Sequence, residues 1–158
     1  MVKNLEIERK YLLKRLPQLK WDQVIHIKQY YLADKTRIRQ SFIPPGGFEY
    51  IKCNKTLLKK NPRIYKEIEV ILSRGEFQHL LKKAKTGLMK TRFIKKVSGG
   101  LKWEIDMYED LDLIVAEIEI PSKKFKVKLP KFISELLIME VTKFSEFSNR
   151  SLSEKVKK

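Results

Sequence analysis

Charged residues alternate with apolar ones in short runs that recur along most of this chain. The first run is EIERK, in which Glu6, Glu8 and Lys10 occupy every second position. A β-strand places residues i, i+2 and i+4 on one face, about 7 Å apart. Two carboxylates and an ammonium therefore form a row, with Ile7 and Arg9 on the other side. This period of two restricts the runs to strands, because a helix repeats every 3.6 residues.

Further runs of this kind follow, and each tends to carry charge of one sign. Their charged members are Arg37 and Arg39 in RIR, Lys52 in YIK, Glu67 and Glu69 in KEIEV, Lys90 and Arg92 in KTR, Glu104 and Asp106 in WEID, and Glu117 and Glu119 in AEIEI. A sheet with one face in water explains any single pair. Their recurrence favours a barrel with the charged faces inward, provided that acidic strands hold divalent cations and basic strands hold a polyanion.

Turn signals such as PPGG at 44–47 and SGG at 98–100 separate the runs. The pattern predicts strands near 4–13, 25–32, 35–43, 48–54, 63–72, 89–97, 101–108, 113–120 and 137–142. Helices are predicted after Ser73, where Ser73 and Glu76 form a capping box, within LPKFISELL, and near 16–24. The predicted fold class is α+β: a closed antiparallel β-barrel of about eight strands with a few short helices.

The length and composition of the chain indicate its domain organisation and its location. With 158 residues, 42% of them hydrophobic, the chain is expected to form one domain over 1–158, with a frayed basic tail at 153–158. No apolar run approaches the roughly 20 residues of a membrane span, and no signal peptide is expected. The single cysteine, Cys53, excludes an internal disulfide, so we expect a cytoplasmic protein away from the membrane.

The formal net charge of +16 indicates anionic partners. Nucleic acid, a membrane surface and phosphorylated small molecules all fit that charge, and so does an ordinary lysine-rich solvated surface. Nucleic acid is not expected, because no aromatic platform is interleaved with exposed basic residues.

EIERK resembles the E-x-E-x-K signature of the CYTH superfamily, the triphosphate tunnel metalloenzymes. The resemblance continues in order through IKQYYL, TRIRQ, YIK, YKEIEV, KTRF, WEID, AEIEI and MEVTKFSEFSN. It implies a hydrophilic tunnel through the barrel, a linear triphosphate as substrate, and a requirement for Mg²⁺ or Mn²⁺. Activities in the family include inorganic triphosphatase, thiamine triphosphatase, class IV adenylate cyclase and RNA 5′-triphosphatase.

The resemblance also implies roles for individual residues. The expected metal ligands are Glu6, Glu8, Glu117, Glu119 and Asp106. The expected triphosphate-binding bases are Lys10, Arg37, Arg39, Lys52, Lys90 and Arg92. Lys10 and Tyr31 resemble catalytic partners that activate water or protonate a leaving group. Glu67, Glu69 and Glu104 are expected beside them in the tunnel, where they order the basic residues or join a second metal.

We therefore expect a metal-dependent triphosphatase, with inorganic triphosphate favoured because no appended domain is present. A class IV-type adenylate cyclase, a thiamine triphosphatase and a non-catalytic polyphosphate- or nucleotide-binding protein are the alternatives. Phe93, Glu146 and Phe147 depart from the family pattern and leave the substrate open. An apolar outer barrel face is compatible with a homodimer.

Overall fold

Nine strands and three short α-helices make up the structure, a computed structural model that describes residues 2–60 and 63–156. The strands are β1 (Val2–Leu13), β2 (Gln23–Tyr31), β3 (Arg37–Phe42), β4 (Phe48–Lys60), β5 (Arg63–Leu72), β6 (Thr86–Lys96), β7 (Lys102–Tyr108), β8 (Leu113–Glu119) and β9 (Leu137–Glu140). The helices are α1 (Arg74–Leu81), α2 (Lys131–Ser134) and α3 (Asn149–Lys155).

Eight of the strands close into an antiparallel barrel, in the order β5-β4-β3-β2-β6-β7-β8-β1, with β1 pairing back to β5. The strand β1 completes the barrel because its two halves have different partners. Val2–Glu8 pairs with β5, and Glu8–Leu13 pairs with β8. The ninth strand, β9, pairs with the end of β1 at Tyr11–Leu13. The predicted fold class is thus confirmed.

The pairing register puts the alternating charged residues on the inner face of the barrel. Glu8 lies opposite Glu119, and Lys10 lies opposite Glu117. Residues directly opposite in an antiparallel pair share a face, so this assignment extends around the whole barrel. Among the charged residues that it places on this face are Glu6, Glu8, Lys10, Arg37, Arg39, Lys55, Glu67, Glu69, Lys90, Arg92, Glu104, Asp106, Glu117 and Glu119, and at the strand ends Glu49, Lys96 and Lys102.

The apolar faces of the strands point outward, and the rest of the chain covers much of them, although Leu5 and Met107 are exposed. Tyr11, Trp103 and Ile118 form a buried cluster with Ile133 of α2. On another side of the barrel, Phe77 of α1 packs on Ile38 and Leu72. The helix α1 begins with the predicted capping box, in which Ser73 and Glu76 each accept a hydrogen bond from the other's backbone.

The C-terminal helix α3 covers one end of the barrel. Leu152 is buried against Leu88, Tyr108 and Val115, and Ser153 is 1% exposed. The prediction of a frayed tail over 153–158 is therefore wrong for 153–156, because this short helix has an apolar side that fits the barrel end. Residues 157 and 158 lie outside the described residues.

The predicted strands and turns are confirmed, with shifts at their ends. Gly99 and Gly100, with φ of +76° and +74°, form the turn between β6 and β7, where residues with a Cβ are strained. The helix predicted near 16–24 does not form. Leu16 and Trp21 instead pack as an irregular segment on the outer apolar cluster. Within the described residues, no helix has the length and apolar character required to cross a bilayer.

We predict that Leu152→Ala lowers the free energy of unfolding by about 2–5 kcal/mol, since it removes a buried side chain from the barrel end. Urea denaturation measures this change. The matched control is Lys155→Ala, which alters an exposed residue on the same helix and should stay within about 0.5 kcal/mol of the parent. Equal stabilities for the two variants would contradict the docking of α3.

Candidate functional site

A cavity of about 640 Å³ opens between the inner face of the barrel and the segment that leads into α3. Its cationic lining residues are Lys10, Lys35, Arg37, Lys55 and Arg150, against two acidic ones, Glu8 and Asp34. Tyr31, Asn149 and three serines, Ser145, Ser148 and Ser151, also line it. The excess of cations over carboxylates makes this cavity suited to an anionic ligand.

Beside the cavity lies an acidic cluster, which we define as Glu6, Glu8, Glu67 and Glu119. The ammonium of Lys55 sits among three of these carboxylates, 3.1 Å from Glu6, 3.8 Å from Glu8 and 3.8 Å from Glu67. The Lys10 ammonium lies 3.8 Å from Glu8, and the two ammonium groups do not balance the four carboxylates. Burial raises the pKa of Glu6, Glu8 and Glu119, and neighbouring carboxylates raise each of them further.

The acidic cluster fits a divalent cation on the chemistry of its donors. Carboxylate oxygens are the ligands that Mg²⁺ and Mn²⁺ prefer. Glu6 Oε2 is buried without a hydrogen bond of good geometry, although the Lys55 ammonium is near. Glu119 has no ion pair in the described part of the chain. The structure thus brings together three of the five predicted metal ligands, Glu6, Glu8 and Glu119, with Glu67 added.

The other two predicted ligands lie among cations instead. Glu117 is 3.3 Å from the ammonium of Lys10 and 3.8 Å from the guanidinium of Arg92. Asp106 is fully buried and accepts hydrogen bonds from Lys90 at 2.7 Å and from Arg92 at 2.7 and 2.8 Å. Burial alone would raise the pKa of Asp106, but Arg92 and Lys90 outweigh it and lower the pKa. Asp106 thus lies among cations in this structure, and its role as a metal ligand stays a prediction.

The same contacts occupy hydrogen-bond donors of Lys90 and Arg92, which were expected from the sequence to bind the triphosphate. Arg92 also donates to Glu104 at 3.1 Å, and Lys90 also donates to Asn149 at 3.1 Å. Burial lowers the pKa of Lys90 to about 8, against the opposing effect of Asp106. These four residues, Asp106, Lys90, Arg92 and Glu104, form what we call the buried ion cluster. Most of its charge is already neutralised within the protein, so less of it is left for a phosphate.

Arg37 and Arg39 are the predicted bases that retain unused donors. The Nε atoms of both are buried without a hydrogen-bond partner among the described residues. The nearest carboxylate to Arg37 is that of Glu69, at 3.9 Å. Burial and the adjacent Arg37 and Arg92 lower the pKa of Arg39 to about 10. Buried guanidinium donors without partners are costly, and a phosphate group would satisfy them bidentately.

Lys10 and Tyr31, the predicted catalytic pair, line the same cavity. Burial would lower the pKa of Lys10, but Glu117 and Glu8 outweigh it and the pKa is raised. Burial also raises the pKa of Tyr31, whose hydroxyl accepts a hydrogen bond from the Gln29 side chain at 2.9 Å. Lys10 is accordingly a firm cation near neutral pH, and Tyr31 is a neutral phenol.

Lys52 is the one predicted site residue that faces away from the barrel interior. It lies opposite Ile38 in the β3–β4 register, and Ile38 is part of the outer cluster beneath α1. The inner face of β4 carries Cys53 and Lys55 instead, and Lys55 lies opposite Glu67. The prediction chose the wrong lysine because this strand has lysines on both faces, so alternation alone does not identify the inner one. Its pairing with Glu67 across the β4–β5 hairpin would have identified Lys55.

The motif EVT (Glu140, Val141 and Thr142) hydrogen-bonds to the backbone of Lys10. The Lys10 amide donates to Thr142 Oγ1 at 3.0 Å, and the Val141 amide donates to the Lys10 carbonyl at 2.9 Å. The Thr142 hydroxyl donates to Glu140 at 2.5 Å, and Arg9 donates to both carboxylate oxygens of Glu140. This network fixes the point at which β1 presents Lys10 to the cavity, a role that sequence reasoning had not assigned to these residues.

The three positions that depart from the family pattern have different surroundings. Phe93 lies on the outer face, where its ring packs against Trp21 at a centroid distance of 5.3 Å. Phe147 is near the cavity, and its backbone carbonyl accepts a long hydrogen bond of 3.4 Å from Lys10. Glu146 is exposed. Of the three, only Phe147 contacts a predicted site residue.

Comparison with solved structures confirms the fold. Two crystal structures of the protein NE1496 are similar to this chain. One, described as an inorganic triphosphatase, has a TM-score of 0.59 and 22% identity over 94% of this chain and 93% of that chain. The other, described as a hypothetical protein, has a TM-score of 0.61 and 23% identity over 96% of this chain and 99% of that chain.

HpAC1 from Hippeastrum, described as showing a dominant triphosphatase activity, is similar with a TM-score of 0.50 and 16% identity over 74% of this chain and 80% of that chain. Neither family models nor curated proteins give a match to the sequence. At these identities the likeness establishes the closed antiparallel barrel as the fold of this chain.

We predict that Asp106→Asn lowers the free energy of unfolding by about 3–5 kcal/mol at neutral pH, because Lys90 and Arg92 lose the carboxylate that balances them. The pKa of Asp106 is lower in the folded chain than in the unfolded one. The stabilising effect of its charge is thus complete above the pKa of an unfolded aspartate, about 3.9, and is lost as the pH falls below it.

Urea denaturation of both proteins across the acidic range tests this linkage. The stability difference between the parent and Asp106→Asn should be constant from pH 5 to 7 and should narrow below about pH 4. Asp112→Asn, at an exposed position in the β7–β8 turn, is the control and should leave the curve unchanged. A difference that is small at neutral pH would contradict the role of the buried ion cluster.

Proposed function

We propose that this protein hydrolyses a linear triphosphate, most specifically inorganic triphosphate, in a reaction that depends on Mg²⁺ or Mn²⁺. One observation carries the proposal. A single enclosed barrel holds an under-neutralised acidic cluster and, next to it, buried guanidinium donors that have no hydrogen-bond partner in the described part of the chain. A metal–polyphosphate complex supplies both missing charges at once, whereas neither a cation nor an anion alone does. Structural similarity to the inorganic triphosphatase NE1496 supports the same proposal.

In this proposal the basic residues bind and orient the phosphate chain. Arg37 and Arg39 donate through the atoms that now lack partners, and Lys10 and Lys55 add charge at the cavity wall. Interactions fixed in advance by the barrel stabilise the negative charge that develops on the leaving diphosphate. Lys55 replaces Lys52 in this set because it faces inward.

The metal would be held by Glu6, Glu8 and Glu119, with Glu67 beside them. Bound there, Mg²⁺ or Mn²⁺ supplies Lewis-acid polarisation of phosphoryl oxygens. The chain's own contribution to proton transfer follows from its pKa shifts. Because Lys10 holds its proton firmly, it is suited to stabilise negative charge on the leaving oxygen as a fixed cation, and it is not suited to abstract a proton from water. Tyr31, a neutral phenol in the same cavity, can donate a hydrogen bond to the phosphate chain.

An adenylate cyclase or a thiamine triphosphatase needs space and contacts for an organic group. The aromatic side chains that line the cavity are Tyr31 and Tyr65. The ring of Tyr65 is covered by the Lys55 ammonium at 4.1 Å from the ring centre, and Tyr31 is almost completely buried. The cavity therefore offers little ring surface for stacking, which favours an unsubstituted triphosphate over either alternative. A non-catalytic anion-binding protein has no use for the acidic cluster.

We predict phosphate release from tripolyphosphate with Mg²⁺ or Mn²⁺ that stops in the presence of chelator and exceeds release from ATP or thiamine triphosphate. Glu8→Gln should reduce the rate by at least about 100-fold, a loss that even supporting residues of metal sites can produce. Glu109→Gln changes an exposed residue of the β7–β8 turn and is the control. Turnover that persists with chelator would contradict the metal requirement, and binding without turnover of any triphosphate would favour the non-catalytic reading.

Substitution of two lysines of β4, one on each face, tests which face of this strand lines the cavity. We predict that Lys55→Gln lowers kcat/KM for tripolyphosphate by about 10- to 100-fold, since a charged hydrogen bond contributes about 1.5–3 kcal/mol. Lys52→Gln, three residues earlier and on the outer face, should keep kcat/KM within about twofold of the parent. A larger loss for Lys52→Gln than for Lys55→Gln would contradict the assignment of the faces. The cytoplasmic location and the homodimer remain predictions.

A further inference from the structure

Arg150, at the start of α3, is a cationic residue of the cavity that the motif resemblance does not assign. Its side chain lines the cavity together with Lys10, Arg37 and Lys55. Within residues 2–60 and 63–156, the guanidinium has no ion pair, even though Glu8 and Asp34 line the same cavity. Arg150 therefore brings a positive charge to the cavity that no carboxylate balances.

The backbone around Arg150 is fixed on both sides. The preceding residue, Asn149, accepts hydrogen bonds from Lys90 at 3.1 Å and from the Tyr108 hydroxyl at 2.6 Å. The Ser153 hydroxyl donates to the Arg150 carbonyl at 2.6 Å, and Ser153 Oγ also lies 2.7 Å from Thr86 Oγ1. A side chain on such an anchored backbone can bind a ligand with a reduced entropic cost.

The wall that carries Arg150 is polar throughout. Ser145, Ser148, Asn149 and Ser151 are the other residues that the segment before and within α3 contributes to the cavity. This wall has hydroxyl and amide groups but no aromatic or aliphatic side chain that would contact a base or a thiazole ring. Its chemistry fits a phosphate with free oxygens, because a guanidinium binds two such oxygens in a planar fork.

We propose that Arg150 binds the terminal phosphate at this end of the cavity and thereby selects a triphosphate without an organic substituent there. The inference rests on the proposed function and adds a specificity-determining residue to it. A phosphate esterified at this end has one charged oxygen fewer and brings a bulky group against the polar wall. An unsubstituted triphosphate satisfies the guanidinium without that clash.

Calorimetric titration with Mg²⁺ and analogues of tripolyphosphate and ATP whose bridging oxygens are methylene groups, which cannot be hydrolysed, tests the inference independently of turnover. We expect Arg150→Gln to weaken tripolyphosphate binding by about tenfold, the effect of losing one charge-assisted contact. ATP binding should change by less than about twofold, so the preference for tripolyphosphate falls. Arg150→Lys, which keeps the charge but loses the planar fork, should be intermediate. Lys155→Gln removes one charge from an exposed position of the same helix and should change neither affinity.

The outcomes separate this inference from the function on which it rests. If the parent binds tripolyphosphate and Arg150→Gln binds it equally well, the role of Arg150 is overturned while the proposed function stands. An equal loss for both ligands also overturns the specificity role, because it places Arg150 against a phosphate that both share. If the parent binds no tripolyphosphate, the proposed function and the inference both fail. Thermal unfolding of each variant confirms that the fold is intact.

Discussion

The ion pairs that Asp106 makes with Lys90 and Arg92 allow this barrel to close around a charged interior. A charge moved from water into a protein interior costs several kcal/mol unless a partner and hydrogen bonds replace the solvent. Asp106 receives three short hydrogen bonds from the two cations on the neighbouring strand. Asn149 links Lys90 to the helix that covers the barrel end. The charges of Lys90, Arg92 and Asp106 on β6 and β7 are thereby largely balanced by one another.

The charges on the other strands of the interior are not balanced in the same way. On β1, β5 and β8 carboxylates outnumber the ammonium groups of Lys10 and Lys55. On β3 two arginines have Nε donors without a hydrogen-bond partner among the described residues. Both kinds of unsatisfied charge lie within one barrel, where an ion bound to one lowers the cost of binding its counter-ion to the other. We read the division of the interior into a neutralised half and an unbalanced half as the physical basis of the proposed function. The same division explains why residues of similar appearance in the sequence have different roles.

The strands, the barrel and most inner-facing residues could be predicted from the sequence. Charged and apolar residues alternate along each strand with a period of two, so the two faces of a strand are easily told apart. The prediction failed where the phase of the alternation is ambiguous: β4 has Lys52 on one face and Lys55 on the other. The partners of Asp106 depend on register and could not be predicted, since only the pairing of β6 with β7 shows that Asp106 meets Lys90 and Arg92. The helix predicted near 16–24 does not form, because Leu16 and Trp21 pack on the outer apolar cluster from an irregular backbone. Arg150 carries no alternating pattern, so only the fold reveals its place.

The double role of β1 has a consequence for how this protein acquires activity. Glu6, Glu8 and Lys10 lie on the strand whose two halves join β5 on one side and β8 on the other. Its pairing with β8 and β9 joins residues more than 100 positions apart in the chain, such as Lys10 with Glu117 and Tyr11 with Glu140. Contacts of such long range form slowly and late, because the intervening chain must first be ordered. A partly folded chain would therefore lack the acidic cluster altogether, and the appearance of ligand binding during refolding would report the closure of the barrel.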